Sequence, residues 1–212
     1  DVGQRSAASI ARRLQDPLAE LVKIDPKSIG VGQYQHDMNQ KKLTEALDHV
    51  VEDCVNRVGV DLNTASASLL EYVSGVSKAI AKNIVIYREE NGKFTSRKQL
   101  LKVPKLGEKA YTQCAGFLRI DCGDNILDNT AVHPESYEKA EKLLSLFSYT
   151  KEDVRARRIS DLRDKLKAYG VDKAAKETDL DKATLADIVT ELMKPGRDIR
   201  DALPAPMLRK DI

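Results

Sequence analysis

The 212-residue sequence has no Trp, only 5% aromatic residues and just three cysteines. Cys54, Cys114 and Cys122 form an odd set, and none of their spacings is CxxC or another ligand pattern. That argues against a disulfide framework and against a zinc site, so buried free thiols are expected, with no metal and no cofactor. No apolar run approaches the roughly 20 residues needed to span a bilayer as a helix. The first residues, Asp1-Val2-Gly3-Gln4, contain neither an initiator Met nor the apolar core of a signal peptide. A cytoplasmic protein whose natural N-terminus has been cut away is the expectation. Glycine and proline are sparse, at 11 and 7 residues, beside 42% hydrophobic and 32% charged residues. This mix favours helices over strands and predicts an all-α fold of one elongated domain or two to three small ones.

Net charge is only +2, but its distribution is uneven. Between Leu69 and Arg119 there are ten Lys or Arg against four Glu, so one segment holds a basic surplus that suits a polyanion.

The chain reads as a succession of helices. Apolar Ala8, Ile10, Ala11 and Leu14 predict a helix over 5–15, and Asp16-Pro17-Leu18 reads as a cap with proline at the first helical position. Residues 24–38 break the pattern and suggest a loop with one short strand near 29–31. Leu43, Leu47, Val50, Val51, Cys54, Val55 and Val58 recur as one buried stripe of a long helix that Gly59 would cap. A unit then occurs twice. Asn63 or Thr64 caps a short helix with Leu69, Leu70 and Val73, the turn Ser74-Gly75-Val76-Ser77 follows, and a second helix carries Ala79, Ile80, Ile84 and Val85. Thirty residues on, Ser96 caps a helix with Leu100, Leu101 and Val103, the turn is Pro104-Lys105-Leu106-Gly107, and Ala110 and Cys114 lie on the next helix. Further helices are expected after His133-Pro134-Glu135 and over 151–158, 160–168 and 181–193. Prolines 195, 204 and 206 mark an extended linker.

The repeated unit is a helix-hairpin-helix. Its tight turn aims successive amide N–H groups, backed by a helix N-terminus, at one phosphate. Basic residues in the first turns of the second helix add a screened attraction. The expected nucleic-acid-binding residues are Gly75, Val76, Ser77, Lys78, Lys82, Lys105, Leu106, Gly107 and Lys109. Such contacts read phosphates rather than bases, so binding should be largely independent of sequence. Neither copy has the usual Gly-hydrophobic-Gly: one has Gly75-Val76-Ser77 and the other Lys105-Leu106-Gly107. A purely structural hairpin pair, serving as a helical scaffold or protein-interaction module, is the competing interpretation.

Catalysis has little to stand on. His36-Asp37 and His49 lack a nucleophile or a metal-ligand pattern, and Gly30-Val31-Gly32 lacks both the preceding strand and the third glycine of a nucleotide loop. Arg155, Arg157 and Arg158 form a second basic cluster, read as a solvated helix face or as an RNA or protein contact.

Several strings also resemble known proteins. Leu62-Asn63-Thr64-Ala65-Ser66, Tyr87-Arg88-Glu89-Glu90-Asn91-Gly92-Lys93-Phe94 and Leu100-Leu101-Lys102-Val103-Pro104 resemble the paired hairpin domain of bacterial competence DNA receptors. Longer strings resemble the Tex transcription accessory family, which is related to a eukaryotic transcription elongation factor. They include Ser9-Ile10-Ala11-Arg12-Arg13-Leu14-Gln15-Asp16-Pro17, Gly30-Val31-Gly32-Gln33-Tyr34-Gln35-His36-Asp37 and Asn129-Thr130-Ala131-Val132-His133-Pro134-Glu135-Ser136-Tyr137. That resemblance implies that residues 1–24 are the remnant of a YqgF-type RNase H-like domain. It further implies a connecting loop and long helix over 25–61, the tandem helix-hairpin-helix domain over 62–121, a small helical domain over 122–194, and a linker over 195–212 toward an absent OB-fold. A role in transcription or RNA metabolism follows, as a monomer, with RNA or DNA and transcription or RNA-processing proteins as partners and no membrane. The strands that carry an RNase H-like active site are not in this stretch, so no enzymatic activity is expected.

Overall fold

Several of the helices start where the sequence supplies a side-chain acceptor for their first free amides. In the computed structural model, which describes residues 2–196, Asp16 accepts from Ala19 N and opens α2 (Pro17–Leu21), directly after α1 (Val2–Gln15). Asn39 accepts from Lys41 N and Lys42 N and opens α3 (Gln40–Val58), which ends at Gly59 with φ +79°. Val60–Asp61 form β1. Ser66 then caps α4 (Ala67–Leu70) and Ser77 caps α5 (Lys78–Asn91). A capping box between Ser96 and Gln99 opens the 3-10 helix Arg97–Lys102, which α6 (Glu108–Cys114) and β2 (Leu118–Arg119) follow. β1 and β2 pair in parallel, Val60 opposite Leu118 and Asp61 opposite Arg119, which ties the chain entering the double hairpin to the chain leaving it.

Beyond β2, His133 Nδ1 accepts from Glu135 N at the start of the 3-10 turn Pro134–Ser136. α7 (Tyr137–Leu146), α8 (Lys151–Arg155), α9 (Leu162–Tyr169), α10 (Val171–Thr178) and α11 (Lys182–Met193) follow. The fold is all-α, with one two-residue parallel pair among the described residues.

Two apolar cores result. One gathers Val55, Leu62, Leu69, Leu70, Ile84, Phe94, Leu100 and Leu118 around the double hairpin, and the other gathers Leu127, Leu143, Val154, Ile159, Leu185 and Leu192. Arg97 joins them. Although it is only 1% exposed, it donates through Nε to Leu118 O (2.8 Å), through Nη1 to Val132 O (2.8 Å) and Tyr137 Oη (2.7 Å), and through Nη2 to Thr130 O (2.6 Å). Asp128, also buried, accepts from Arg97 N (3.2 Å) and from Tyr137 Oη (2.6 Å), so a phenol relays between the buried cation and the buried anion. Burial pushes the Tyr137 hydroxyl above its ordinary pKa, which keeps it a donor to Asp128.

Several sequence expectations are corrected. No strand forms near 29–31. The segment makes 3-10 turns at Pro26–Ser28 and Gln35–Asp37, and Gln35 satisfies the backbone locally, accepting from Val31 N (2.8 Å) and donating to Lys27 O (2.9 Å). Ser66 takes the cap expected of Asn63 or Thr64, because the Asn63 amide is spent on Phe94, exchanging bonds with its N (2.8 Å) and O (3.0 Å). The long-helix stripe is covered only in part: Leu43, Val55 and Val58 are buried, whereas Val50 is 57% exposed. The helix expected over 151–158 stops at Arg155 because Arg157 turns left-handed at φ +54°. α10 was not expected at all. Cys114 is buried but Cys54 is half-buried and Cys122 exposed, all three being free thiols. The expected linker begins with an anchored residue, since Gly196 N donates to Asn129 O (2.8 Å). Its remainder lies outside the described residues.

Candidate nucleic-acid interface

The two hairpin turns have one backbone plan. Val76 N donates to Val73 O (3.0 Å) and Leu106 N to Val103 O (3.1 Å), and the residue before each donor is left-handed, Gly75 at φ +80° and Lys105 at φ +68°. Ser77 and Gly107 then hold the N-cap positions in extended conformation, with ψ 162° and 176°. The 30-residue offset places Gly75 over Lys105 and Ser77 over Gly107. It also places Asn83 over Gln113, and both of these brace the opposite turn. Asn83 Nδ2 donates to Pro104 O (2.7 Å), while a Cβ on Gly75 would lie 2.6 Å from Gln113 Cβ and 3.2 Å from Ala110 O. The second helix of each hairpin therefore supports the bend of the other.

This geometry sorts the nine expected residues. Val76 and Leu106 are core residues at 5% and 3% exposure, and their N–H groups are already donated, so they hold the bends rather than face solvent. Gly75 is half-buried and its α-carbon faces Gln113; its small size serves the hairpin–hairpin contact. Ser77, Lys78, Lys82, Lys105, Gly107 and Lys109 are exposed. Among the described residues, the N–H groups of Gly75, Ser77, Lys78 and Ala79 in the first turn, and of Lys105, Gly107, Glu108 and Lys109 in the second, donate to no protein acceptor. No ion pair there engages any of the four lysines. Gly107 has open space where a Cβ would stand, and its cap makes no side-chain hydrogen bond, so the second bend is the less obstructed of the two. Glu108 in the first turn of α6 opposes an anion there, whereas Lys78 holds the equivalent place on α5.

The basic surplus is smaller at the surface than in the sequence. Of its ten cations, Arg97 and Arg119 are buried at 1% and 4% exposure. Arg119 lies against Gly59 and 3.6 Å from Glu191 on α11. Arg88 donates to Leu62 O (3.1 Å), and burial lowers its pKa against the opposing pull of Glu89 and Asp61. Nothing in residue type marks these three arginines as structural, because only the folded chain shows which carbonyls they meet. The cluster near Arg157 is also partly engaged: Arg158 pairs with Asp153 (3.0 Å), and Arg155 and Arg157 donate to Gly123 O and Pro195 O (both 3.4 Å).

The His36–Asp37 pair is exposed, its ring nitrogen 3.4 Å from the carboxylate, and His49 sits 3.5 Å from Glu52 on the surface of α3. No group of three His, Cys, Asp or Glu among the described residues is placed to hold a metal ion. No helix there is long and apolar enough to cross a membrane.

Residues 55–119 match the family model of the helix-hairpin-helix motif, and residues 125–200 match that of an HHH domain. The second match covers helices that carried no motif in the sequence analysis. Over 204 residues the chain is 57% identical to the transcriptional accessory protein Tex of Neisseria gonorrhoeae, covering 95% of this chain and 26% of that protein. Protein YhgF of Escherichia coli is 57% identical over 202 residues, 94% of this chain and 25% of its own length. The human S1 RNA-binding domain-containing protein 1 is 38% identical over 265 residues that include 100% of this chain and 26% of that protein. The chain thus spans about a quarter of the length of these relatives. Identity this high along nearly every residue, with both hairpin models matched in sequence order, shows that the chain belongs to the Tex family.

Proposed function

We propose that this chain binds nucleic acid without catalysis and largely without regard to sequence, gripping the sugar-phosphate backbone at its two hairpin bends. One observation carries this reading: two bends of the same design each present four undonated N–H groups beside exposed, unpaired lysines. Outward amides and a helix N-terminus suit a phosphate oxygen, and the lysines release counterions as they approach it. The reciprocal bracing by Asn83 and Gln113 fixes the two bends relative to each other, so both can engage one ligand with little ordering cost. The names of two relatives, a transcriptional accessory protein and an S1 RNA-binding domain-containing protein, support placing this binding in transcription or RNA metabolism.

The test is the salt dependence of binding to duplex DNA, single-stranded DNA and structured RNA. Each phosphate contact contributes about 0.9 to the slope of log K against log salt for a duplex and about 0.7 for a single strand. Replacing Lys78, Lys82, Lys105 and Lys109 by Ala should flatten the slope by about 2 if each bend holds one phosphate. An unchanged slope in a variant that still folds would leave the hairpin pair as a structural scaffold.

A further inference from the structure

The helical domain after β2 repeats the bend plan of the double hairpin. Residues 148–151, between α7 and α8, and residues 179–182, between α10 and α11, each run in the order left-handed residue, partly buried apolar residue, extended N-cap, lysine. Ser148 stands at φ +59° and Asp179 at φ +54°, and the caps Thr150 and Asp181 have ψ 166° and 161°. Asp179-Leu180-Asp181-Lys182 is thus the counterpart of Gly75-Val76-Ser77-Lys78. One backbone detail differs. Tyr149 N and Leu180 N reach carbonyls five residues back, Leu144 O (2.9 Å) and Ala175 O (3.0 Å), where Val76 N and Leu106 N reach three back.

The electrostatics run the other way. Over the eight residues that start at the left-handed position, the Gly75 bend has two lysines and no acid, and the Lys105 bend has two lysines and one Glu. The Ser148 bend balances Lys151 and Arg155 with Glu152 and Asp153, and the Asp179 bend has two aspartates and one lysine. Carboxylates also occupy the amides. Asp153 Oδ2 accepts from Thr150 N (2.9 Å), and Asp181 Oδ1 accepts from Thr184 N (2.9 Å). Hydrogen bonds from Thr184 hold the Asp181 carboxyl below the ordinary carboxylate range, so it stays anionic. The lysines have partners: Lys151 lies 2.6 Å from Glu141, Lys182 lies 2.5 Å from Asp172, and Asp179 itself takes Lys139 at 3.1 Å. A phosphate brought to either bend would meet a carboxylate already seated at the helix N-terminus.

We infer that Asp179 and Asp181, together with Asp153, determine where phosphate can bind: they close the second pair of bends and reserve the nucleic-acid backbone for the first pair. This deepens, and rests on, the phosphate-binding role proposed for the bends at Gly75 and Lys105. One backbone plan then has two uses in the same chain, anion capture where the amides are unspent and plain helix-to-helix connection where carboxylates fill them. Discrimination of this kind comes from a repulsive group at the wrong site as much as from attraction at the right one.

The experiment rebuilds the Asp179 bend in the full-length protein as Asp179→Gly with Asp181→Ser, which gives it the Gly-apolar-Ser-Lys order of the first bend. Gly suits the left-handed position and Ser keeps a cap on α11, so the fold should hold, as circular dichroism checks. The slope of log K against log salt for duplex DNA should steepen by about 0.9, the contribution of one added phosphate. An unchanged slope in the folded variant overturns the inference. So does an equal steepening in Asp164→Asn with Asp187→Asn, which removes two exposed acids elsewhere on the same domain and would trace the effect to overall charge. A second arm leaves the bends as they are: Lys151→Ala with Lys182→Ala should not move the slope, and a flattening by about 0.9 or more overturns the inference as well. The Lys78, Lys82, Lys105 and Lys109 variant reads the first pair separately. If it leaves the slope unchanged while the rebuilt bend steepens it, the hairpin reading falls and the role of Asp179 and Asp181 stands.

Discussion

Replacing Arg97 by Met keeps much of the buried stem but removes the guanidinium that joins the two cores. Thr130 O and Val132 O lose the donors at 2.6 and 2.8 Å, and each stranded carbonyl costs about 1–3 kcal/mol. Asp128, only 2% exposed, loses the cation that reaches it through Tyr137. Breaking a buried ionic arrangement from one side typically costs about 3–5 kcal/mol, and we expect that range here. With a urea dependence of about 2 kcal/mol per molar, the midpoint of unfolding followed by circular dichroism should fall by about 2 M. Removing the other charge as well, in Arg97→Met with Asp128→Asn, should recover about 1–3 kcal/mol, since interacting sites depart from additivity by that order. A loss below about 1 kcal/mol for Arg97→Met, or additivity within about 0.5 kcal/mol in the cycle, would refute the account of Arg97 as the joint between the cores.

Gly75→Ala should destabilise by about 2–4 kcal/mol, combining left-handed strain with the 2.6 Å approach to Gln113 Cβ, whereas Gly107→Ala, at φ −83° with open space beside it, should cost less than about 1 kcal/mol; thermal midpoints compare them. Iodoacetamide followed by mass spectrometry should modify exposed Cys122 first and Cys114 last, because burial holds the Cys114 thiol protonated with its pKa pushed up to about 12. Asp153, Asp161 and Asp181 are held below the ordinary carboxylate range, chiefly by hydrogen bonds from Thr150, Tyr149 and Thr184 respectively. A depressed carboxylate stabilises fully above its unfolded value, near 3.9, and that stability fades as pH falls through the lower folded value. The thermal midpoint of the α7–α11 region should therefore drop below about pH 4, and an Asp181→Asn variant that shows the same drop in full would count against Asp181 as a contributor.

Much of the local structure was legible in the residues. Ser96 and Asp16 sit where cap chemistry demands, Gly59 and Gly170 end their helices, and the 30-residue repeat sets Gly75 against Lys105, the two left-handed positions of the bends. Elsewhere the signal was ambiguous. Asn63 has the right residue type for a cap, but its amide is claimed by Phe94, 31 residues away. α10 leaves little apolar signal in the sequence, because Lys173, Lys176 and Glu177 interrupt its pattern and its buried residues are Ala174, Ala175 and Thr178. Val50 continues a faultless stripe and yet is exposed, since periodicity names a face without naming what covers it.

The sequence by itself determined the helical class, the doubled hairpin and the four lysines around its bends, because caps, breakers and apolar spacing act over a few residues and are written in order. Tertiary structure alone decided that Arg97 and Arg119 are buried rather than part of the basic surface, that Gly75 serves the contact between hairpins, and that Asn83 and Gln113 brace each other's turn. Those outcomes depend on which distant carbonyl or side chain lies opposite once both cores close, and partners 20 to 40 positions apart leave no mark on local pattern.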